Sequence, residues 1–392
     1  MVGVSGGGDS LALLSLLRDH ALHRSVVACV VDHGLQAQSE AAASLAAQAA
    51  AQIGADVVLQ RLVWPAGAGV SQQRARLGRH AALCSVARSL GARAVALGHT
   101  ADDQAEGVMI ARAREGHWRG GSGMRAVMPS PVWPEGRDLL VVRPLLEVSR
   151  AGLRAYLQQK GIVWQEDPAN TNSRFVRAQA RLALSPDPAF RARLAGFSAR
   201  LRGHQDRADA RVLCLLMQVV RFVAGDAFLL EQPFPNGLWC RLLGVLIQAV
   251  AGTQSQAAPS AIEALVARLG GEGSARTTLG GCQISAGSGA WRIARDPGAV
   301  LGRAGVAPLG DVAIPVDQDL IWDGRLLVRT HHPGWSIRPV GAGGDPTRPV
   351  LVKDAQRLRI EDAESAGFHV QWLAPSRAWR LLGAETGQNT QE

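Results

Sequence analysis

The chain is poor in lysine, in cysteine and in long apolar runs, and each shortage excludes a class of protein. Only two of its 42 basic residues are lysines, Lys160 and Lys353, so arginine carries almost all of the positive charge. The five cysteines are widely spaced with no CxxC pair, which argues against a zinc site, an iron–sulfur site and a disulfide framework. No apolar run approaches the ~18 residues of a membrane span, and no basic stretch with an apolar signal core begins the chain. We therefore expect a cytoplasmic protein with no membrane partner.

The composition that remains is that of a long, basic, globular protein. With 392 residues, 47% hydrophobic and 19% charged, the chain has the length for two or three domains with full cores. Its net charge of +9 is typical of proteins with a polyanionic partner. Arginine codons of a high-GC genome produce the same bias, so the charge alone is weak support for such a partner.

A glycine-rich loop near the start of the chain is its most informative segment. Ser5-Gly6-Gly7-Gly8-Asp9-Ser10 lies between the apolar residues 2–4 and the leucine-rich residues 11–17. A strand, loop and helix in this order direct backbone N–H groups and the positive end of a helix dipole at one point, which favours phosphate binding. The spacing matches neither GxxxxGK[ST] nor GxGxxG, and no lysine follows the glycines. The loop therefore predicts a nucleotide site of another kind.

Strand-like and helix-like segments alternate through residue 183. Strands are predicted at 25–31, 56–62 and 92–97, and helices at 39–53, 72–90 and 101–114. Such alternation predicts an α/β fold with a parallel sheet covered on both faces, whose ligands bind at the carboxyl ends of the strands. We predict three regions: a nucleotide-binding domain at 1–183, an arginine-rich helical region at 184–270 and a smaller, strand-rich α+β region at 271–392.

Asp32-His33-Gly34-Leu35 follows directly on the second predicted strand. The Asp32 carboxylate is therefore expected at the rim of the sheet beside the glycine loop, where it could hold Mg²⁺ or a ribose hydroxyl. The alternative is a turn that starts a helix, with Asp32 as its capping group, and that alternative is favoured for the motif taken alone.

A second cluster spans residues 99–106. His99, Asp103 and Glu106 are spaced by four and then three residues, which predicts one shared helical face. Such a face could bind Mg²⁺, or hold a substrate ammonium while one member takes its proton. The alternative is a helix start rich in acids that suit its dipole.

Two basic groups could neutralise phosphates of a nucleotide or of RNA. Arg76 and Arg79 lie one turn apart on the third predicted helix, and Arg174, Arg177 and Arg181 form the second group. Each group is also compatible with a solvated helix face, which is the commoner place for surface arginines.

Together, five segments in this order and spacing resemble the tRNA(Ile)-lysidine synthetase family of the N-type ATP pyrophosphatases, or PP-loop superfamily. The resemblance covers residues 1 to about 183. The segments are Ser5-Gly6-Gly7-Gly8-Asp9-Ser10, Asp32-His33-Gly34-Leu35, Gly98-His99 with Asp102-Asp103-Gln104 and Glu106, Arg143-Pro144-Leu145-Leu146, and Glu166-Asp167-Pro168 with Asn170. The glycine loop indicates the superfamily, and the later segments indicate the family.

The resemblance implies a Rossmann-like catalytic domain and a two-step ligation on tRNA. ATP adenylates the C2 oxygen of the wobble cytidine in an isoleucine tRNA with the anticodon CAU, and free lysine then displaces AMP to give lysidine. By the same resemblance, ATP and Mg²⁺ are cofactors and both regions after residue 183 contact tRNA. The sequence leaves the oligomeric state open, a homodimer included.

The resemblance also assigns roles to residues. The loop residues Ser5, Gly6, Gly7, Gly8, Asp9 and Ser10 would bind ATP; Asp32, His99, Asp103 and Glu106 would be catalytic, with Asp32 serving the nucleotide or its Mg²⁺; and Arg76, Arg79, Arg114 and Arg177 would contact substrate or tRNA. Two departures stand out. Family members have Arg-Gly-Ser-Gly where this chain has Arg114-Glu115-Gly116-His117, and an Arg-Asn pair where it has Arg177-Ala178.

Three alternatives to this function remain. A PP-loop enzyme that thiolates tRNA would handle sulfur through cysteines, which the loop lacks. Amide-forming relatives lack the Asp-His-Gly-Leu and Glu-Asp-Pro segments in this arrangement. A non-catalytic tRNA-binding or nucleotide-binding relative would be expected to lose Asp9, Asp103 or Glu106, and this chain keeps all three.

Overall fold

The computed structural model describes most of the chain. The described residues are 1–21, 25–35, 38–65, 69–113, 121–166, 176–184, 187–231, 233, 236–269, 275–287, 290–303, 307–341 and 344–384. They form two compact units, Met1–Arg207 and Ala208–Glu392. No helix among these residues is both long and apolar enough to cross a membrane.

The first unit is a parallel sheet with helices between its strands. Its elements are β1 (Val2–Val4), α1 (Gly8–His20), β2 (Val27–Asp32), α2 (Ser39–Gln52), β3 (Asp56–Arg61), α3 (Gln72–Ser89), β4 (Ala94–Leu97), α4 (Ala101–Ala113), β5 (Val127–Pro129), β6 (Leu140–Val142), α5 (Arg150–Gln159), α6 (Val176–Leu184) and the first part of α7 (Pro188–Val219). The strand order is β3-β2-β1-β4-β6-β5, parallel throughout except that β5 runs antiparallel to β6. The predicted α/β fold class is confirmed.

Strand β1 lies in the middle of this sheet and is buried on both faces. Val2 and Val4 pack with Leu11 and Leu14 of α1 on one face. Gly3 faces the other side, where a Cβ would lie 2.9 Å from a methyl group of Leu97. Burial on both faces explains why the strand is a short, uninterrupted apolar run instead of an alternating one. It also fixes the loop that follows β1 against a rigid core.

The second unit begins within α7 and contains three antiparallel sheets. Its elements are β7 (Val220–Val223), β8 (Asp226–Leu229), α8 (Gly237–Ala251), α9 (Pro259–Leu269), β9 (Ala275–Leu279), β10 (Cys282–Gly287), β11 (Ala290–Arg295), α10 (Pro297–Leu301), β12 (Val312–Ala313), β13 (Leu320–Trp322), β14 (Leu326–Thr330), β15 (Ser336–Arg338), β16 (Val350–Lys353), β17 (Gln356–Arg359), β18 (Phe368–Trp372) and α11 (Ala374–Leu381). The sheet orders are β7-β8-β11-β10-β9, β12-β15-β16-β17 and β13-β14-β18.

Helix α8 forms the centre of the core of this second unit. Leu242, Leu243 and Leu246 are fully buried within it, together with Ile284 and Ile293 of the five-stranded sheet. That sheet joins β7 and β8 with β9, β10 and β11, so its strands come from both sides of residue 270. The two compact units meet at residue 207, whereas the sequence composition changes near residue 183. The division of the chain into three regions stays a prediction.

Candidate active site

The glycine loop follows β1 and leads directly into α1. Gly6 has a φ of +82°, which glycine adopts without strain. Ser10 closes the loop from inside, because its Oγ accepts a hydrogen bond from Ser5 N at 3.2 Å and donates one to Gly7 O at 2.8 Å. Gly7 is the N-cap of α1, and no side chain caps the helix there. The first N–H groups of α1 are therefore left without a capping side chain, which suits an anionic ligand.

Gly98 brings the glycine loop against the turn that follows β4. A Cβ at Gly98 would lie 2.8 Å from Asp9 O and 3.0 Å from Ser10 Cα, so the two backbones are in direct contact. Strands β1 and β4 are neighbours at the point where the strand order reverses, and a crevice opens at such a point at the carboxyl ends of the strands. The glycine loop and the start of α4 therefore share one crevice.

Helix α4 carries the acidic residues of the second sequence cluster. The backbone N and the Oγ1 of Thr100 donate to Asp103 Oδ2 at 2.9 and 3.0 Å, and Asp103 N donates back to Thr100 Oγ1 at 3.4 Å, a reciprocal cap of the helix start. The other oxygen, Asp103 Oδ1, accepts from Arg150 at 3.1 Å. Glu106 lies one turn further on, with a side chain only 2% exposed. One oxygen of Asp103 thus serves the helix, as the capping interpretation expects, and the other belongs to an ion pair.

Three carboxylates converge on Arg150, a residue that no sequence motif singled out. Its Nε donates to Asp9 Oδ2 at 3.0 Å, its Nη1 to Glu106 Oε1 at 3.1 Å and its Nη2 to Asp103 Oδ1 at 3.1 Å. Its backbone N donates to Asp102 Oδ2 at 2.7 Å. Burial lowers the pKa of Arg150, but the charges of Asp103, Glu106 and Asp9 outweigh burial and raise it. Arg150 is therefore a permanent cation that joins the glycine loop to α4.

A signal for Arg150 exists in its position on α5. It is the first residue of that helix, after the N-cap Ser149, whose Oγ accepts from Gly152 N at 3.2 Å. The positive end of the helix dipole opposes a cation at this position, so an arginine there indicates acidic partners elsewhere. Reading this signal requires the helix boundary, which the sequence alone did not supply.

Two further arginines bind the outer side of the same carboxylates. Arg181 Nε donates to Glu106 Oε1 at 2.9 Å, and Arg191 Nη1 donates to Asp102 Oδ1 at 3.2 Å. We call the four carboxylates the acidic cluster, and they are Asp9, Asp102, Asp103 and Glu106. Arg150, Arg181 and Arg191 form ion pairs with these carboxylates in the described contacts, and the charge of Arg154 also acts on Asp9. Carboxylates gathered in this way are suited to bind a substrate ammonium.

A second group of side chains near the crevice is basic. This basic cluster consists of Arg76, Arg79, His80 and Arg143. Burial and the charge of Arg76 lower the pKa of Arg143 to about 10. Burial, together with the charges of the three arginines, lowers the pKa of His80 to about 4. Burial and Arg76 also lower the pKa of Arg79. Cations that destabilise one another's charge in this way form a favourable site for an anion such as phosphate.

His99 belongs to the basic side of the site. Arg143 Nε donates to His99 Nδ1 at 3.2 Å, so this nitrogen is the acceptor of the imidazole ring. The expectation that His99 shares a helical face with Asp103 and Glu106 is wrong. Helix α4 begins only at Ala101, and the helical spacing does not apply to a residue in the turn before it.

Asp32 lies at the end of β2, as predicted, but its carboxylate serves the turn. Oδ1 accepts from Gly34 N at 2.9 Å, and Oδ2 lies 3.6 Å from Arg61 Nε. Burial raises the pKa of Asp32. A hydrogen bond from Ser39, one from the Gly34 N–H and the charge of Arg61 together outweigh burial, so the pKa lies below its ordinary value. Within the described residues, no group of three or more histidine, cysteine or acidic side chains is arranged to hold a metal ion. The contacts of Asp32 agree with the capping interpretation.

The remaining sequence-predicted contacts can be placed only in part. Arg114 and the segment that replaces Arg-Gly-Ser-Gly lie outside the described residues. Arg177 lies in α6, and its side chain is likewise outside the described part of the chain. Arg76 and Arg79 lie on α3, in the basic cluster.

The strand order, the glycine loop and the contact at Gly98 define a nucleotide-binding domain of the PP-loop class. A model of the PP-loop domain family matches residues 1–187, and the domain is an ATP-binding one. The chain is also similar to proteins named tRNA(Ile)-lysidine synthase. The relative from Hyphomonas neptunium is 37% identical over 292 residues, which are 73% of this chain and 78% of the relative. The chain belongs to the tRNA(Ile)-lysidine synthase family and is a tRNA-modifying enzyme of the ligase class.

Two more relatives of that name show how the similarity is distributed. The one from Ruegeria pomeroyi is 34% identical over 338 residues, 84% of this chain and 76% of the relative. The one from Caulobacter vibrioides is 46% identical over 197 residues, 48% of this chain and 45% of the relative. The family resemblance stated from the sequence motifs is confirmed.

Proposed function

We propose that the enzyme ligates free L-lysine to C2 of the wobble cytidine of an isoleucine tRNA with the anticodon CAU. The reaction proceeds through an adenylated cytidine and yields lysidine, AMP and diphosphate. One observation carries the proposal. The acidic cluster begins with Asp9 of the ATP-binding loop and continues onto α4, so a cationic amine and an activated nucleotide can meet in one crevice.

The glycine loop and the basic cluster suit the adenylation step. Attack of the cytidine oxygen on the α-phosphate of ATP breaks the bond to diphosphate and increases the negative charge on the phosphate oxygens. The first N–H groups of α1 and the cations at Arg79 and Arg143 can stabilise that charge. Mg²⁺ enters this proposal as part of the Mg-ATP substrate, because substrate phosphates supply much of the coordination of magnesium at nucleotide sites.

The acidic cluster suits the lysine step. The ε-ammonium of free lysine has an ordinary pKa near 10.4 and must lose a proton before its nitrogen attacks C2. Carboxylates within contact of the ammonium bind it and provide an acceptor for that proton. Asp103 and Glu106 are the candidates, since both are buried, fixed by hydrogen bonds and on neighbouring turns of α4. The nitrogen then forms the new bond to C2, and AMP leaves with the C2 oxygen.

Thiolation is the second candidate function, and the cysteines disfavour it. Cys29 and Cys84 are buried in the sheet core, and burial raises the pKa of the Cys29 thiol to about 11. Cys214, Cys240 and Cys282 lie in the second unit. The glycine loop and α4 contain no cysteine, so neither supplies the thiolate that sulfur transfer through the protein requires.

The sulfur alternative gives a direct test of the proposed function. Purified enzyme, Mg-ATP and an isoleucine tRNA with the anticodon CAU should release AMP in multiple turnovers only when lysine is added. Arginine or ornithine in place of lysine should support much less AMP release. AMP release that does not depend on lysine but requires a sulfur donor would contradict the proposal.

A row of side chains on the five-stranded sheet suits the tRNA body. The strand register pairs Arg276 with Ser285, Ser285 with Arg292, Arg292 with Phe228 and Phe228 with Arg221. Paired residues point to the same face, so three arginines cross the sheet on alternate strands, about 10 Å apart. The guanidinium of Arg292 lies 5.9 Å from the centre of the Phe228 ring. Arginines interleaved with an aromatic ring are typical of surfaces that bind a nucleic-acid backbone.

Reversing one charge of this row is expected to weaken tRNA binding. Arg276→Glu should raise the Kd for tRNA about tenfold at low salt and reduce the slope of log Kd against log salt by about one, because a phosphate contact is lost. Filter binding at several salt concentrations measures both. Arg357→Glu is the matched control, since Arg357 is equally exposed on β17 of the same unit. Equal weakening by both variants would refute the row as the contact surface.

A further inference from the structure

Arg150 links the two halves of the proposed site. Asp9 belongs to the glycine loop at the start of α1, whereas Asp103 and Glu106 belong to α4. Among the described contacts, the Arg150 guanidinium bonds both halves with separate nitrogens. Its side chain is only 15% exposed, and its backbone is fixed by the bond to Asp102 at the start of α5. Any motion of the loop relative to α4 must therefore stretch one of these three ion pairs.

Among the described contacts, Arg150 is the cation that Asp9, Asp103 and Glu106 share. Carboxylates brought this close repel one another, and a shared guanidinium offsets that repulsion. Burial already raises the pKa of Asp9, with a further contribution from Asp103, even though Arg150 opposes both. Arg181 and Arg191 bind Glu106 and Asp102 but no oxygen of Asp9 or Asp103 in the described contacts. Neither can replace Arg150 at the junction.

Stability alone is a poor explanation for such an arrangement. Removing charged groups from water costs several kcal/mol per ion, and buried ion pairs are often no more stabilising than apolar side chains of the same size. A planar guanidinium with separate N–H groups, by contrast, fixes the direction of each carboxylate that it contacts. Arg150 is thus well suited to orient oxygens for a substrate.

We propose that Arg150 is a positioning residue of the lysine-transfer step, which fixes the carboxylates of Asp9, Asp103 and Glu106 in the orientation that receives one substrate ammonium. The inference rests on the proposed function. It assigns Arg150 no contact with lysine and no proton transfer. The charged groups that face Arg150 or share its partners are the acidic cluster from α1 and α4, Arg154 on its own helix, Arg181 on α6 and Arg191 on α7.

The test compares two variants with the wild-type enzyme in tRNA lysylation at varied lysine and pH. Arg150→Lys keeps the charge but not the planar fork, and Arg150→Ala removes both. We expect the KM for lysine to rise at least about tenfold in each variant, which corresponds to about 1.4 kcal/mol. In Arg150→Ala the acid limb of kcat/KM for lysine should also move to higher pH, because carboxylates without the cation hold protons more tightly. Added guanidinium chloride at millimolar concentration should partly restore Arg150→Ala.

The control removes a cation from an ordinary ion pair at the C-cap of the same helix, α5. Lys160→Ala breaks the exposed pair of Lys160 with Asp19 at 2.9 Å and should leave the KM for lysine and the pH profile unchanged. If Arg150→Ala fails to fold by circular dichroism, Arg150→Lys decides the question. A wild-type KM for lysine in Arg150→Lys would overturn the role of Arg150 while the proposed function stands. A wild-type enzyme that incorporates no lysine would overturn the proposed function itself.

Discussion

Glu106→Gln is expected to abolish lysine transfer to tRNA while the protein remains folded. The Glu106 side chain is 2% exposed and bonded to both Arg150 and Arg181, and glutamine keeps its shape and one acceptor oxygen. The substitution removes one negative charge from the acidic cluster, and with it a carboxylate that could bind the ammonium and take its proton. We expect incorporation of labelled lysine to fall by 10² to 10⁴, on the order of the loss of a general base.

Formation of adenylated tRNA without lysine separates this effect from a general loss of activity. It should persist in Glu106→Gln, because the glycine loop is unchanged. Glu135→Gln makes the same chemical change at an exposed position of the first unit and serves as the control. Wild-type lysine transfer by Glu106→Gln would remove Glu106 from the proposed site.

Gly98→Ala is expected to disrupt ATP binding. The added Cβ would lie 2.8 Å from Asp9 O and 3.0 Å from Ser10 Cα, and backbone atoms cannot rotate away as a side chain can. The start of α1 must therefore move away from β4, which distorts the loop. We expect a loss of about 1–3 kcal/mol in the free energy of unfolding, as for overpacking elsewhere, and at least a tenfold weaker affinity for ATP. Thermal unfolding and titration with a non-hydrolysable ATP analogue measure the two effects.

A second glycine supplies the control for this substitution. Gly196 lies within α7, where an added Cβ would meet nothing within 4 Å. Gly196→Ala should leave ATP affinity unchanged and stabilise the helix slightly, because alanine is the better helix former. If Gly98→Ala binds ATP as tightly as the wild type, the close contact of loop and turn is not what shapes the ATP site.

Much of the first unit follows from local sequence patterns. The strand predicted at 56–62 is observed at Asp56–Arg61, and the helix predicted at 72–90 is observed at Gln72–Ser89. Both faces of the central strands are buried, so their apolar runs are unbroken and easy to recognise. The order of strands then places the glycine loop beside the start of α4, as the parallel topology requires.

The partners of the charged residues could not be predicted in the same way. Arg150 is far from Asp9 in the sequence, and only the packing of α5 against α1 brings them within 3.0 Å. The spacing of His99 suggested a place on α4, but the helix starts two residues later, and His99 contacts Arg143 instead. Asp32 was placed at the correct strand end, yet its ionised oxygens are used by Gly34 and Arg61. Side-chain partners depend on tertiary contacts that sequence periodicity does not encode.

The most direct measurement of the proposed function is nucleoside analysis of tRNA after reaction with Mg-ATP and labelled lysine. We expect label on the wobble cytidine of an isoleucine tRNA with the anticodon CAU, with one AMP and one diphosphate released for each lysine bound. Label that is absent from this cytidine, or ATP that is split to ADP and phosphate instead, would contradict the proposed ligation.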